Sequence, residues 1–268
     1  MLVYPMCTPR TIDVLFTLIN AHIFDGFPAW KDVLTKSPAE VTAALQRPEV
    51  RGALRQNLQD PKLPGTFSRR WDLVHVESTK RVENKRWEGQ TVEAMARAQG
   101  KDPLDAFCDL ALHEDLATEF TTVLANGDES AVGEILQSPA TVIGLSDAGA
   151  HAALECGYGF TTSLLGYWVR EKKVLSLEEA VRKLTSMPAA ILGVKDRGSI
   201  RPGLAADLVV FDPDTVAALP PVVTYDLPAG EKRLVQKATG ITCTIVNGQI
   251  LTEDGEHTGS YPGRVLRS

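Results

Sequence analysis

The stretch "TVIGL", residues 141–145, is the part of the sequence that most limits what the chain can fold into. It is short and uncharged, with Pro139 before it and "SDAGAH" after it. An apolar strand of this kind is buried on both faces, as in a parallel sheet covered by helices. The run ends in Ser146, Asp147, three small residues and His151. In parallel α/β sheets and barrels, functional groups gather where the strands end. Asp147 is therefore a candidate general acid/base. His151 is a candidate contact for a substrate oxygen, or a group that orients the aspartate. The small residues Ala148, Gly149 and Ala150 allow a tight turn and close approach of a ligand. Each residue also has a plain structural reading. An Asp after a strand commonly caps a helix or forms a turn, and a lone histidine is commonly a satisfied structural group.

The surrounding pattern alternates helix and strand. Residues 11–27 read as a strand end running into a loop at Gly26 and Pro28. "SPAEVTAALQ" opens with a capping box, Ser37 with Glu40, and predicts a helix over 38–46. Residues 60–70 read as a loop, and 71–78 alternate as a short strand. "TVEAMARAQG" predicts a helix stopped by Gly100, and Asp102 caps another running to about residue 116. Residues 119–124 read as a strand, and "DESAVGEILQSP" as a helix. After the 141–145 strand come two more predicted helices, "TTSLLGYWVREKK" and "SLEEAVRKLTS". Near residue 197 the pattern changes to strands separated by Gly/Pro turns, which places a boundary within 197–203. "TCTIVNGQILTEDGE" predicts a hairpin with Asn247-Gly248 as a type I′ turn. The expected organisation is an α/β section over 1–198 with inserted helices, then an antiparallel β module over 199–268.

Composition narrows the partners. At 44% hydrophobic residues the chain has material for a real core, and its net charge of −6 with no basic stripe argues against nucleic acid. No segment reaches the roughly 20 apolar residues that span a bilayer. The opening run is broken by Pro5, Pro9, Arg10 and Asp13, so no membrane partner and no signal peptide are expected. Cys7, Cys108, Cys156 and Cys243 are scattered, which predicts a reducing, cytoplasmic setting.

Longer motifs carry a resemblance. "GLSDAGAH", "LLGYWVREKKVLSLEEAVRKLTSMPAAILGVKDRGSIRPGLAADLVVFDP" and "IVNGQILTEDGEHTGSYPGRVLR" resemble the C-terminal half of the N-acyl-D-amino-acid deacylases. These D-aminoacylase-like enzymes belong to the metal-dependent amidohydrolase superfamily. "YDLPAGEKRLVQKATG" and "GEHTGSYPGR" are similar to the D-aminoacylase branch in particular. The resemblance is thinner over 1–137, where "CTPRTIDVLFTLINAHIFDGFPAW" and "RPEVRGAL" carry it. It implies a partial (β/α)8 TIM-type barrel of C-terminal strands and helices, followed by a small antiparallel module of the amidohydrolase sandwich type. It also implies hydrolysis of a linear amide, an N-acyl-D-amino acid giving the D-amino acid and a carboxylate. Zinc is the implied cofactor. Asp147 becomes the catalytic acid/base with a possible metal contact, and His151 a substrate-binding residue. A cyclic-amide hydrolase of the hydantoinase or dihydropyrimidinase type is the alternative within the superfamily, and the D-aminoacylase-like ending argues against it.

One departure matters. The family's metal site begins with an H-x-H pair and adds a cysteine or lysine and two further histidines. This chain has His22, His75, His113, His151 and His257, and no H-x-H. A zinc site needs at least three protein ligands, and a full barrel takes about 250 residues. The expectation is a C-terminal portion of a longer enzyme, or a degenerate, non-catalytic relative, whose incomplete barrel edges would promote self-association. His113 reads as a surface residue and His257 as part of a terminal turn. His75 reads as structural, and His22 as structural or lining the cleft. A Cys156–His151 nucleophile pair lacks a framing motif. Arg69-Arg70 could grip a carboxylate, but reads more simply as a solvated loop pair. Arg201 and Asp207 read as turn and strand-edge structure. Tyr167 and Trp168 sit at helical spacing typical of core.

Overall fold

The computed structural model describes residues 3–146 and 152–266. The chain forms two compact units, one of residues 12–127 and one of residues 1–11 with 128–268. Compactness divides the chain at 12 and 127, whereas the change of sequence pattern within 197–203 falls inside one unit.

The chain starts with β1 (Met6–Cys7) and then enters the inserted unit. There β2 (Ile12–Phe16) is followed by α1 (Pro28–Leu34), α2 (Pro38–Leu45) and α3 (Pro48–Gln59). Each of these helices has proline in its first turn, where the missing N–H costs nothing. The Ser37–Glu40 capping box is formed as predicted. Pro28 starts a helix instead of marking only a turn, because its fixed φ suits the first helical position. Strand β3 (Val74–Ser78) is shorter than the predicted 71–78 stretch, since Trp71–Leu73 wind into a 3-10 turn. Then come α4 (Val92–Gln99), α5 (Pro103–His113) and β4 (Glu119–Ala125). Helix α4 stops at Gly100, whose φ of 64° is the left-handed cap expected there. The three strands make an antiparallel sheet in the order β2-β4-β3.

An aromatic cluster fills this unit's core. Phe24 stacks on Trp30 with centroids 4.0 Å apart, and Phe107 packs 4.6 Å from Phe120. Trp30 Nε1 donates to the Leu54 carbonyl at 3.0 Å, so the buried indole loses no hydrogen bond. Arg51 and Arg55 of α3 pair with Asp102, Asp105 and Asp109 at the start of α5 and within it.

The second unit resumes with α6 (Glu129–Gln137) and β5 (Val142–Ile143). Val142 and Ile143 of β5 are buried as expected, but Gly144 and Leu145, part of the expected 141–145 strand, lie outside the strand pairing and are exposed, because the strand ends where the chain turns. Its partner is β1, in parallel, with Met6 opposite Val142 and Cys7 opposite Ile143. Next comes α7 (Phe160–Ser163), which continues as a π-helix over Leu164–Glu171, where an ordinary α-helix is predicted from the sequence. Helices α8 (Leu177–Leu184) and α9 (Ser186–Ile191) complete the helical part. Leu164, Leu165, Trp168, Leu175 and Ala180 pack with Leu136 and Ile143 as a separate core.

The β module contributes β6 (Leu208–Phe211), β7 (Ala217–Ala218), β8 (Val222–Thr224), β9 (Arg233–Val235) and β10 (Ala238–Thr239). It ends with β11 (Ile241–Val246), β12 (Gln249–Glu253) and β13 (Glu256–His257). Four of them form an antiparallel sheet, β13-β12-β11-β6, while β8 pairs β9 and β7 pairs β10. Asn247 and Gly248 have φ of 47° and 78°, the two positive values that a type I′ turn requires.

Candidate active-site edge

Parallel pairing makes the C-terminal ends of β1 and β5 point the same way. The residues that follow each strand therefore lie side by side: Thr8, Pro9 and Arg10 after β1, and Gly144, Leu145 and Ser146 after β5. Backbone bonds fix this arrangement. Val142 N donates to Pro5 O at 2.9 Å, and the amides of Gly144 and Leu145 both reach Cys7 O. Trp168, buried on the π-helix, donates its Nε1 hydrogen to Pro9 O.

The segment that follows in sequence is held from several sides. Arg10 Nη1 donates to Cys156 O and to Gln236 Oε1, each at 2.7 Å. The same Gln236 oxygen accepts the Gly159 amide at 2.8 Å, and Gln236 Nε2 donates to Leu219 O at 2.8 Å. Leu234 N, in β9, donates to Ala152 O at 2.8 Å. Gly157 lies directly against the β5 tip: a Cβ there would stand 1.9 Å from Ser146 O. Only glycine fits so close to that carbonyl.

Asp147 and His151, the two residues singled out from sequence, lie outside the described residues. The other histidines are described, and they are dispersed. His22 is well exposed beside Asp25 on a short 3-10 turn. His75 lies on β3 opposite Thr121. His113 ends α5 with its Nδ1 against Asn84 Nδ2, and its side chain is half exposed. His257 accepts the Gly259 amide. Among the described residues, no three His, Cys, Asp or Glu side chains come together as a metal site. The described donor set thus does not fit a zinc centre.

The remaining candidates resolve structurally. Burial pushes the Cys156 thiol pKa up, the opposite of what a nucleophile needs. Arg69 donates to the carbonyls of Asp60 and Leu63, and Arg70 pairs with Asp72. Asp207 accepts from Arg197 and from the Asn247 amide at the hairpin turn. Tyr167 donates to Glu129 at 2.5 Å, and this bond to a carboxylate raises its pKa. Sequence reasoning gave no role to Arg10, Gln236 or Lys183. A cation three residues past the β1 strand was the available signal for Arg10.

The fold, mixed helix and sheet, is an α/β fold of the amidohydrolase type. The amidohydrolase family model matches residues 44–252, more than half of the sequence, and the chain belongs to that family. It is 37% identical over 144 residues to an N-acyl-D-glutamate deacylase from Alcaligenes xylosoxydans xylosoxydans, a match covering 52% of this chain and 27% of that one. It is 33% identical over 178 residues to an N-acyl-D-aspartate deacylase from the same organism, covering 63% and 33% of the two chains. The chain thus spans about a third or less of these relatives' length. Among solved structures, it is similar to an N-acyl-D-glutamate deacylase from Bordetella bronchiseptica complexed with zinc and a phosphonate inhibitor. That match has 30% identity and a TM-score of 0.43, covering 74% of this chain and 38% of the other.

Proposed function

We propose that this chain carries one edge of the active site of a metal-dependent hydrolase that splits N-acyl-D-amino acids into the D-amino acid and a carboxylate. The observation that carries the reading is the parallel β1–β5 pair, whose two tips share one edge, with the sequence running directly from Ser146 into Asp147. Asp147 takes a proton from the attacking water and returns it to the departing amine nitrogen, and His151 contacts the substrate. An aspartate does this work when its carboxylate is ionised before attack. In this reading residues 1–198 are the C-terminal portion of a barrel with inserted helices, and 199–268 are the sandwich portion. Zinc, present in the Bordetella relative, accompanies the reading, with Asp147 as one possible contact. The described residues do not assemble the other ligands. The four free cysteines suit a cytoplasmic setting. No helix among the described residues is long and apolar enough to cross a membrane.

A second reading is a non-catalytic half that docks with another copy or chain through β1. It is favoured by the exposed Val3, Tyr4 and Met6 on and beside that strand. Zinc-supplemented assays of the full chain with N-acetyl-D-amino acids and with dihydrouracil separate the readings. Turnover of the D-amino acid derivatives, reduced about a hundredfold or more by Asp147→Asn, supports the deacylase. Turnover of dihydrouracil alone points to a cyclic-amide hydrolase. Absence of both activities supports the docking half.

A further inference from the structure

The polar contacts around residues 152–159 form a pattern that packing alone does not require. Arg10, two residues beyond the buried Thr8, spans from the β1 tip to a carbonyl 146 positions later and to a side chain 226 positions later. Gln236, between β9 and β10, uses one oxygen for both Arg10 and the Gly159 amide, while its Nε2 is tied to Leu219 O. A charged donor sharing an acceptor with a backbone amide makes a stronger and more directional pair than neutral contacts do. The segment after the β5 tip is thereby fastened at Ala152 by Leu234, at Cys156 by Arg10 and at Gly159 by Gln236.

We propose that Arg10 and Gln236 act together as a positioning pair, by which the β module sets the geometry of the strand-tip edge. This rests on the deacylase reading for its consequence, since the residues between Ser146 and Ala152 in sequence include Asp147 and His151. Neither Arg10 nor Gln236 is assigned contact with the substrate. Their effect is on where the β5 tip and the 152–159 segment stand. A pair that works as one unit has a distinctive signature: removing either partner forfeits the whole effect, and removing both costs no more. Gln236→Glu keeps an acceptor for Arg10 and for the Gly159 amide and adds an ion pair with Arg10, which offsets the carboxylate oxygen it sets against Leu219 O.

The test uses the full chain as wild type, Arg10→Met, Gln236→Met, the double variant and Gln236→Glu. Amide hydrogen exchange is followed at residues 152–159 and, as an internal reference, in the β11–β12 hairpin. Each single Met variant is expected to speed exchange at Gly159 by about tenfold or more while the hairpin is unchanged. The double variant should match the worse single, and Gln236→Glu should stay within about threefold of wild type. Where hydrolysis is measurable, kcat falls with KM nearly constant, and Gln236→Glu rescues it. Unchanged exchange at Gly159 overturns the proposal, as do multiplying effects in the double variant or loss of protection in the hairpin with every variant. If the wild type hydrolyses nothing, the deacylase reading fails alone, and the exchange measurements still decide the pair.

Discussion

Lys183 donates its ammonium to the Ser138 carbonyl at 2.6 Å, tying α8 to the residue that closes α6 just ahead of β5. A second bond reaches Thr141 O at 3.0 Å, and the side chain is fully buried. The lysine thus holds the chain where it enters the strand leading to the candidate edge. Burial lowers its pKa, so desolvation outweighs the nearby Glu179. Lys183→Met removes the ammonium from both carbonyls, leaving Ser138 O with only the Thr141 amide, and should cost about 2 kcal/mol at pH 7. The pH dependence has a definite sign. The folded pKa lies below the unfolded one, so between the two the unfolded chain binds more protons and stability rises with pH. The gap between wild type and Lys183→Met, measured by urea melts, should therefore widen as pH climbs through the folded pKa towards that of an ordinary lysine. A gap that narrows over that range contradicts the assignment.

Glu114 plays the corresponding part in the inserted unit. Its buried carboxylate accepts the amides of Lys80 at 2.6 Å and Arg81 at 3.2 Å, and the side-chain amide of Asn84. Burial pushes its pKa up, but these hydrogen bonds outweigh it and the net shift is downward. A depressed carboxylate contributes stability that is full above the ordinary carboxylate range and lost as pH falls through the folded pKa. Glu114→Gln is expected to cost about 2–3 kcal/mol at pH 7, because the new amide group opposes donors with a donor. The cost should shrink in melts performed below about pH 4. A cost that does not change between neutral and acid pH would falsify this account.

Gly157 offers a steric test of the edge. Its missing side chain lets the chain lie on Ser146 O, where an added Cβ would stand 1.9 Å away. The clash is with backbone, so no rotamer change relieves it. Gly157→Ala should destabilise the chain by about 1–3 kcal/mol. Because Gly144 and Leu145 hang from Cys7 O, the displacement should also appear as faster exchange of those two amides. Normal protection at both sites in a stable Gly157→Ala protein would show that the tip tolerates the extra atom.

Local structure was legible in the sequence where local rules decide it. The Ser37–Glu40 box, the Gly100 stop and the Asn247-Gly248 turn each depend on a few neighbouring residues, and each is formed. The burial of Val142 and Ile143 followed from their apolar run, although Gly144 and Leu145 leave the pairing. The π-helix was not legible, because Leu164–Glu171 has the spacing of any amphipathic helix and the wider i→i+5 pattern leaves no local mark on it. The compact insertion at 12–127 was hidden for a related reason. Its sheet pairs β2 with β4 across about a hundred residues, which no local pattern records. Arg10 and Gln236 are the extreme case: they stand 226 positions apart, and only the fold brings them together.

The β1 strand carries the last prediction. Among the described residues β1 and β5 form a sheet of two strands, and beside them Met6 is 62% exposed and Val3 71% exposed. Strand edges with apolar side chains recruit other strands, and natural proteins blunt them with lysine. The chain alone should therefore associate, with an apparent mass that rises with concentration in light scattering. Met6→Lys places a charge on that edge at a side chain already in solvent, so its direct effect on folding should be within about 0.5 kcal/mol. It should return the protein to a monomer at concentrations where the wild type associates. A wild type that stays monomeric refutes the association itself, whereas a Met6→Lys protein that associates equally well removes β1 as the contact and leaves the exposed Val209 and Ile250 of the β module as the next surface to substitute.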